Sequence, residues 1–170
     1  NTSTANRGGG LFLYKDTTTI QNCTIVNNSA SSASVGLGGG LFLYKGTHTI
    51  VNTTISGNTA GTTGGGIYLQ SGSPAETATL RNTIVAGNTD NTGQRDIVRS
   101  SGTLNADFCL IQTPQAGAIN GTNTNNITGQ AANLGTLQNN GGPLAGASGS
   151  TATVQTLALL TGSPAINAGD

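Results

Sequence analysis

Charged side chains are scarce in this sequence, which has six Lys and Arg and six Asp and Glu among 170 residues. Helical repeat proteins draw on Glu and Lys at helical spacing, so this scarcity argues against a helical array. The formal net charge is zero, which excludes a protein that binds a polyanion through a basic surface. We therefore expect no nucleic-acid partner.

Long apolar runs are also missing. No run of apolar residues reaches the roughly 18 that a membrane-spanning helix needs, so the segment is not predicted to span a membrane. The sequence has no methionine and no signal peptide, so we expect a piece of a longer exported protein. Its single histidine, His48, has no carboxylate in register, which favours a structural role over a catalytic one.

The chain has instead an internal repeat. Gly-Gly-Gly-Leu-Phe-Leu-Tyr-Lys occurs at residues 8–15 and again at 38–45, and a looser copy opens at residue 64. Each copy continues into a segment rich in Thr, Ile, Val and Asn. Differences in length fall between these segments, including an insertion at residues 71–74, as a solenoid tolerates.

Short alternating runs of Thr, Ile and Val are typical of β-strands. Strands that return in the same direction after about thirty residues stack equivalent positions in parallel. The sequence therefore predicts an all-β fold, a right-handed single-stranded parallel β-helix of about five coils with an irregular C-terminal cap. We expect one domain over residues 1–170, with regular coils at 8–112 and an irregular coil and C-terminal segment at 113–170.

The two-residue alternation of a strand assigns apolar side chains to the interior. Four aliphatic columns are expected to stack inward and to hold the coils closed. They are Leu11/Leu41/Ile67, Leu13/Leu43/Leu69, Ile20/Ile50/Leu80 and Ile25/Ile55/Val85. The triple glycines are expected at a corner, where the backbone bends without a Cβ.

Asparagine is expected at the other corners, because it tolerates left-handed backbone and its amide can bond to the amide of the next coil. Two columns recur at a spacing of thirty residues. Both are predicted to be structural Asn ladders: Asn22/Asn52/Asn82 and Asn28/Asn58/Asn88. The first of them is expected to lie inside the solenoid.

A fourth coil is predicted, because Asp96 follows Gly66 by thirty residues and Cys109 takes the place of Thr83. Cys23 begins that column, so the two cysteines lie three coils or roughly 14 Å apart. A disulfide needs Cα atoms within about 7 Å, so two buried free thiols are expected. Charge concentrates around this coil, and a solvated rim is favoured over an ion-pair cluster or cation site. The charged residues are Asp90, Arg95, Asp96, Arg99 and Asp107.

Side chains at the alternate positions of the same strands point outward, and two outward faces are predicted from them. An aromatic stripe could bury against a neighbouring molecule or stack on sugars. It consists of Phe12, Phe42, Tyr68, Tyr14 and Tyr44. A threonine face resembles ice-binding surfaces, although threonine is also simply a good strand residue. It consists of Thr17, Thr19, Thr47, Thr49, Thr77 and Thr79.

Three further motifs follow the triple glycines in order. They are Asn-Thr-Ile-Val-Ala-Gly-Asn at residues 82–88, Leu-Gln-Asn-Asn-Gly-Gly-Pro at 137–143 and Leu-Ala-Leu-Leu-Thr-Gly-Ser-Pro-Ala-Ile-Asn-Ala-Gly-Asp at 157–170. This order resembles the choice-of-anchor Q type of bacterial surface protein, whose members are similar to pectate-lyase-like and polymorphic outer-membrane β-helices. Residues 145–153 depart from that family's shorter link. The resemblance implies export and attachment to the cell surface, and it implies no activity.

Pectin-cleaving β-helices need several acidic residues on one strand face and a basic residue beside them. The repeated strands carry Thr, Asn and apolar residues there, so no catalytic, cofactor-binding or metal-binding residue is assigned and no cofactor is expected. The chain is predicted to be a non-enzymatic, secreted, cell-surface β-helix that forms a stalk, sheath or fibre through self-association or other surface proteins. A carbohydrate-binding or polysaccharide-active β-helix is the alternative, and ice binding is a minor one.

Overall fold

A computed structural model of the chain describes residues 1–4, 7–70, 72, 76–93 and 95–170. The described residues form strands and turns without a helix, so the all-β prediction is confirmed. Apart from Gly72, the predicted insertion at residues 71–74 lies outside the described residues.

Nineteen short strands are found in the described ranges. They are β1 (Thr2–Ser3), β2 (Leu11–Tyr14), β3 (Thr17–Gln21), β4 (Thr24–Val26), β5 (Ser29–Ala30), β6 (Leu41–Tyr44), β7 (Thr47–Val51), β8 (Thr54–Ser56), β9 (Thr59–Ala60), β10 (Ile67–Gln70), β11 (Thr77–Arg81), β12 (Ile84–Ala86), β13 (Ile97–Arg99), β14 (Thr103–Asp107), β15 (Leu110–Ile111), β16 (Asn123–Thr124), β17 (Ile127–Thr128), β18 (Leu134–Gln138) and β19 (Thr156–Leu159).

Parallel pairing stacks these strands into a β-solenoid. Sheet 1 has the order β2-β6-β10-β13, sheet 2 has β3-β7-β11-β14-β16, and sheet 3 has β4-β8-β12-β15-β17. A short fourth sheet contains β1, β5 and β9. The solenoid has about three turns, fewer than the five coils predicted. Its strands form four successive sets, numbered below as coils one to four, and β16 and β17 add only two residues each to sheets 2 and 3.

The apolar columns lie in the predicted register. Leu41 pairs with Leu11 on one side and Ile67 on the other, and Ile50 pairs in the same way with Ile20 and Leu80. The second coil's Leu41, Leu43, Ile50 and Ile55 are all completely buried. The columns form one continuous hydrophobic cluster inside the solenoid.

The triple glycines allow the backbone to bend and also let successive coils come into close contact. Gly38 has a φ of 66°, in the left-handed region that glycine adopts without strain. Gly39 lies so close to the next coil that a Cβ would overlap the carbonyl oxygen of Gly65. Side chains are therefore excluded where the backbones of successive coils meet.

The C-terminal segment leaves the coil pattern and folds back over the outside of sheet 3. Strands β18 and β19 pair antiparallel as a hairpin. Near the fourth coil, Leu134 and Ala165 pack against Ala86 and Leu110. Residues 113–130 continue the solenoid irregularly, since β16 and β17 extend sheets 2 and 3. The hairpin that follows covers apolar side chains on the outside of sheet 3 near the fourth coil.

The hairpin runs along the solenoid axis. Leu137 and Leu157 lie beside Val26 and Ser56 of the first two coils, at the opposite end from Leu110. An ion pair between Arg81 and Asp170 attaches the C-terminal residue to strand β11. One continuous segment therefore ties successive coils together.

Truncation of an interior leucine tests the stacked core. Leu43→Ala is expected to lower the free energy of unfolding by about 2 to 5 kcal/mol, because the neighbouring coils cannot collapse into the cavity. Leu144→Ala is the matched control, since Leu144 is 69% exposed. Urea unfolding followed by circular dichroism measures both, and equal losses in the two variants would contradict the assigned core.

Candidate functional site

A ladder of side-chain amides runs inside the solenoid at Asn28, Asn58 and Asn88. Asn28 Nδ2 donates to Asn58 Oδ1 at 3.0 Å, and Asn58 Nδ2 donates to Asn88 Oδ1 at 2.9 Å. The same two oxygens accept the backbone N–H groups of Asn28 and Asn58, each at 3.0 Å. All three side chains are buried, so each amide supplies hydrogen bonds that water cannot replace.

Asp96 continues the ladder with a carboxylate. Its Oδ1 accepts Asn88 Nδ2 at 2.7 Å and Asn88 N at 2.9 Å, and its Oδ2 accepts Thr113 N at 2.7 Å. Burial raises the pKa of Asp96, and the hydrogen bonds from Asn88 and Thr113 oppose that rise. A group that only accepts hydrogen bonds is suited to the last position of a chain of donors.

The column Asn22/Asn52/Asn82 was predicted to lie inside the solenoid, but it lies at the surface. These residues have φ values of 55°, 49° and 47°, and Asn22 and Asn52 are exposed at the corner between sheets 2 and 3. Their backbone N–H groups bond to carbonyls of the next coil, as in Asn52 N to Arg81 O at 3.1 Å. The expectation of an internal ladder here is wrong, because left-handed backbone turns these side chains outward.

The column that the sequence assigns to Cys23, Thr53, Thr83 and Cys109 is a column of hydrogen-bond donors. Each Sγ or Oγ1 donates to the carbonyl two residues earlier, at 3.2 Å for the cysteines and 2.9 Å for the threonines. This hydrogen-bonding role was not predicted, although Cys and Thr are both small donors and follow one another here at intervals of 30, 30 and 26 residues.

Both cysteines are free thiols, but only Cys109 is buried. Burial raises the pKa of Cys109 to about 11, which keeps it a thiol at neutral pH. Cys23 belongs to the first coil, where β4 has no neighbour on its outer side. The expectation that both thiols are buried is therefore wrong for Cys23.

The aromatic stripe is a stack of rings. Phe12 and Phe42 have centroids 5.1 Å apart, Phe42 and Tyr68 5.6 Å apart, and Tyr14 and Tyr44 5.4 Å apart. Phe42 is completely buried, whereas Phe12 is 48% exposed. Phe42 stacks on Tyr68, and Tyr14 stacks on Tyr44, whereas Phe12 meets Phe42 edge to face.

The threonine face lies in register on sheet 2. Thr47 pairs with Thr17 and Thr77, and Thr49 pairs with Thr19 and Thr79. Thr17, Thr19 and Thr47 are exposed, while the remaining three are partly exposed. Ice binding by this face stays a prediction.

Two titratable side chains point into the interior at the corner between sheets 1 and 2. His48 is 1% exposed, and its Nε2 lies 2.8 Å from Lys45 O. Burial lowers the pKa of His48, while the Lys45 hydrogen bond and the charge of Asp16 oppose this shift. Glu76 is completely buried; burial raises its pKa to about 8, and a hydrogen bond from the Gln70 backbone opposes the rise. Sequence reasoning missed Glu76, although it shares the inward parity of Leu80.

The predicted solvated rim is wrong for two of its five residues, Asp90 and Asp96, whereas Arg95, Arg99 and Asp107 are partly exposed. Asp90 and Asp96 are buried and accept hydrogen bonds from neighbouring residues. Asp90 Oδ2 accepts Gly64 N at 3.1 Å, and its Oδ1 accepts Thr92 N at 2.9 Å. The aspartates act as acceptors for loop backbone, which corrects the expected solvent-facing arrangement.

Side chains cover three backbone positions at the C-terminal end of the solenoid. Gln115 Oε1 accepts Arg99 N at 3.0 Å, Asn120 Oδ1 accepts Leu104 N at 2.9 Å, and Asn126 Oδ1 accepts Cys109 N at 2.8 Å. Carbonyl oxygens of a further coil would otherwise take these N–H groups. The side-chain amides thus replace a neighbouring strand at these positions, while β16 and β17 are the outermost strands of sheets 2 and 3 at this end.

The N-terminal end is open. β2, β3 and β4 are the outermost strands of their sheets, and no side-chain oxygen of the described residues accepts their backbone N–H groups. Leu11, Phe12 and Tyr14 are 42%, 48% and 45% exposed. A hollow of about 760 Å³ lies here, lined in part by Leu11, Ile20 and Val154. Sheet edges and apolar side chains therefore coincide at this end, and either a preceding coil or another chain would find strand edges to pair with there.

Comparison with protein-family models, curated proteins and solved structures gives no significant match. Within the described ranges, no group of three or more His, Cys, Asp or Glu residues is placed to hold a metal ion. In that same part of the chain, no helix is long and apolar enough to cross a bilayer.

Removing one ladder amide tests the inner column. Asn58→Ala is expected to lower the free energy of unfolding by about 3 kcal/mol or more, because several buried partners lose their hydrogen bonds and each costs roughly 1 to 3 kcal/mol. Asn52→Gly is the matched control: it removes an exposed amide at a left-handed position that glycine also adopts. Denaturant unfolding compares them, and a smaller loss for Asn58→Ala than for Asn52→Gly would refute the inner ladder.

The raised pKa of Glu76 predicts that the free energy of unfolding depends on pH. Its folded-state pKa of about 8 lies above the ordinary value of 4.5, so the folded state keeps a proton that the unfolded chain has released. This contribution to stability is fully present below about pH 4.5 and is lost as the pH rises through about 8. Unfolding is best measured above about pH 7, where His48 is neutral in both states.

The Glu76→Gln variant is the comparison for that series. Its free energy of unfolding is expected to fall less between about pH 7 and 9 than that of the parent chain. Cys109 keeps a residual slope of the same sign in both proteins, because burial raises its pKa to about 11 and the unfolded chain releases this proton first. Identical slopes in the two proteins would show that Glu76 does not titrate in this window.

Proposed function

We propose that the chain is a non-enzymatic structural or adhesive β-solenoid of a bacterial cell surface, where it associates with itself or with other surface proteins. The observation that carries this proposal is the stacked interior, in which apolar and amide columns run through successive coils. Stacking of this kind makes the coils one stiff unit.

The internal construction supports a rigid element. Amide, thiol and hydroxyl columns run from coil to coil, and the hairpin ties the coils from outside. Buried polar groups that are fully hydrogen-bonded fix one arrangement and rigidify it. Such a body holds its surface in a constant shape, as a stalk or adhesive module requires.

The resemblance to choice-of-anchor Q surface proteins supports the proposed location, which is secreted and attached to the cell surface. The glycine repeats and the terminal motif at residues 157–170 carry that resemblance. Fold alone supplies no chemistry, so the likeness to pectate-lyase-like β-helices does not extend to catalysis.

The alternative of polysaccharide binding has less support. Sugars stack on open ring faces, and the rings of Phe42 and Tyr44 already stack on those of Tyr68 and Tyr14. Ice binding is the other alternative, and the register of the threonine face is the feature that favours it.

Two assays with the purified chain test the proposed function. Polygalacturonate, pectin and alginate are incubated with the protein, with and without Ca²⁺, and new sugar ends are measured; we expect none. The labelled chain is then applied to bacterial envelope preparations and to beads that carry the same chain. Retention on one of these is expected, with heat-unfolded chain as the control. Turnover of a polysaccharide, or retention on neither surface, would contradict the proposal.

A further inference from the structure

The threonine face of sheet 2 extends one coil further than the six residues predicted for it. Pairing of β3, β7 and β11 continues without a register shift into β14, where Thr103 pairs with Thr77. Asn105 then ends the second row, since its Oδ1 accepts Thr122 N at 2.8 Å. The extended face has two rows, Thr17/Thr47/Thr77/Thr103 and Thr19/Thr49/Thr79.

The hydroxyl groups of this face are available to a partner outside the chain. Every threonine in the two rows is exposed or partly exposed. Within the described ranges, only Thr79 Oγ1 among them has a hydrogen-bond partner, the Nδ2 of Asn105 at 3.4 Å. The inward Thr53 and Thr83 differ, because their hydroxyls donate to backbone carbonyls. Outward and inward threonines therefore have different roles in this fold.

The spacing of these groups is fixed in two directions. Neighbouring strands lie about 4.7 to 4.9 Å apart, and every second residue along a strand is roughly 6.6 Å away. Threonine is branched at Cβ, so its side chain is stiff and its hydroxyl and methyl groups keep their places. The inner apolar and amide columns hold the strands themselves in register. The threonine face is therefore a rigid lattice of hydroxyl and methyl groups.

We propose that the extended threonine face binds ice, an activity that goes beyond the proposed structural role and does not depend on it. The prism face of ice repeats its oxygen atoms at similar intervals along two perpendicular directions, so several hydroxyls meet the lattice at once. The methyl groups gain free energy by leaving liquid water. Because the face is already rigid, binding costs little conformational entropy, and many weak contacts add up.

The chemistry of the face fits ice better than a polysaccharide. Sugars are bound by open aromatic rings and by planar amide or carboxylate groups, and the two threonine rows contain none of these. Outward charges on the same strands occur beyond the rows, at Arg81 and Asp107. The centre of the face, at Thr47, Thr49 and Val51 of β7, is uncharged. No strongly hydrated group therefore separates the threonines from an ordered water layer.

Contacts at the ends of the solenoid do not hide this face. A coil stacked on β3 would add a row position beside Thr17 and Thr19 and would leave their outward side chains uncovered. The C-terminal hairpin packs on the outside of sheet 3, and not on sheet 2. The face is therefore open whether or not further coils are stacked on the solenoid.

Partitioning into slowly growing ice tests the proposal. The labelled chain is expected to be enriched in the ice relative to the remaining liquid. Thr49→Lys is expected to lose this enrichment, because a long charged side chain then stands at the centre of the face. Thr59→Lys is the matched control and is expected to keep it, since Thr59 is an exposed strand residue outside sheet 2. Circular dichroism establishes that each variant is folded.

Three results would overturn ice binding by this face. They are exclusion of the parent chain from the ice, equal enrichment of folded Thr49→Lys and Thr59→Lys, and retention on crystalline cellulose without enrichment in ice. Exclusion from ice together with retention on bacterial envelopes would leave the proposed surface role standing. Enrichment in ice without retention on envelopes or on the same chain would support ice binding and contradict the surface role.

Discussion

The vertical stacking of equivalent residues, one coil above another, is the constraint on which the rest of this structure depends. Every interior side chain has as its main neighbour the residue about thirty positions away. Insertions are therefore confined to connections, and a change inside one strand is felt by the coils above and below. The inner columns and the strand edges at the two ends of the solenoid all follow from this register.

The two corners that flank sheet 3 follow the same local rule. A residue with left-handed backbone, Asn52 or Gly57, is followed by an inward side chain that hydrogen-bonds, Thr53 or Asn58. The first residue turns the chain and the second satisfies the backbone groups that the turn exposes. This pairing explains why asparagine occurs both outside and inside the solenoid.

The sequence alone predicts the all-β solenoid and its apolar columns, because alternation within a strand and the thirty-residue repeat are both visible in it. It wrongly places the Asn22/Asn52/Asn82 column inside the solenoid. The alternation of inward and outward side chains along a strand does not continue across a corner. The sequence does contain a signal for the correct assignment. The left-handed position varies between Asn27, Gly57 and Gly87, and such Asn/Gly exchange marks a turn whose next residue points inward.

Other features depend on contacts that no local pattern encodes. The hairpin of residues 134–159 packs on sheet 3 near the fourth coil because Ala86 and Leu110 face outward there, which is seen only once the sheet is assembled. Burial of Asp90 and Asp96 likewise depends on loops that fold over them. The side chains that cover three backbone positions at the C-terminal end are Gln and Asn, which resemble ordinary loop residues until their partners are known.

The central claim is that Asn28, Asn58 and Asn88 form an inner ladder while Asn22, Asn52 and Asn82 face outward. Hydrogen exchange of the side-chain amides, followed residue by residue by NMR, measures this most directly. The Nδ2 protons of Asn58 and Asn88 should exchange far more slowly than those of Asn52. Rapid exchange at Asn58, equal to that at Asn52, would contradict the stacked arrangement.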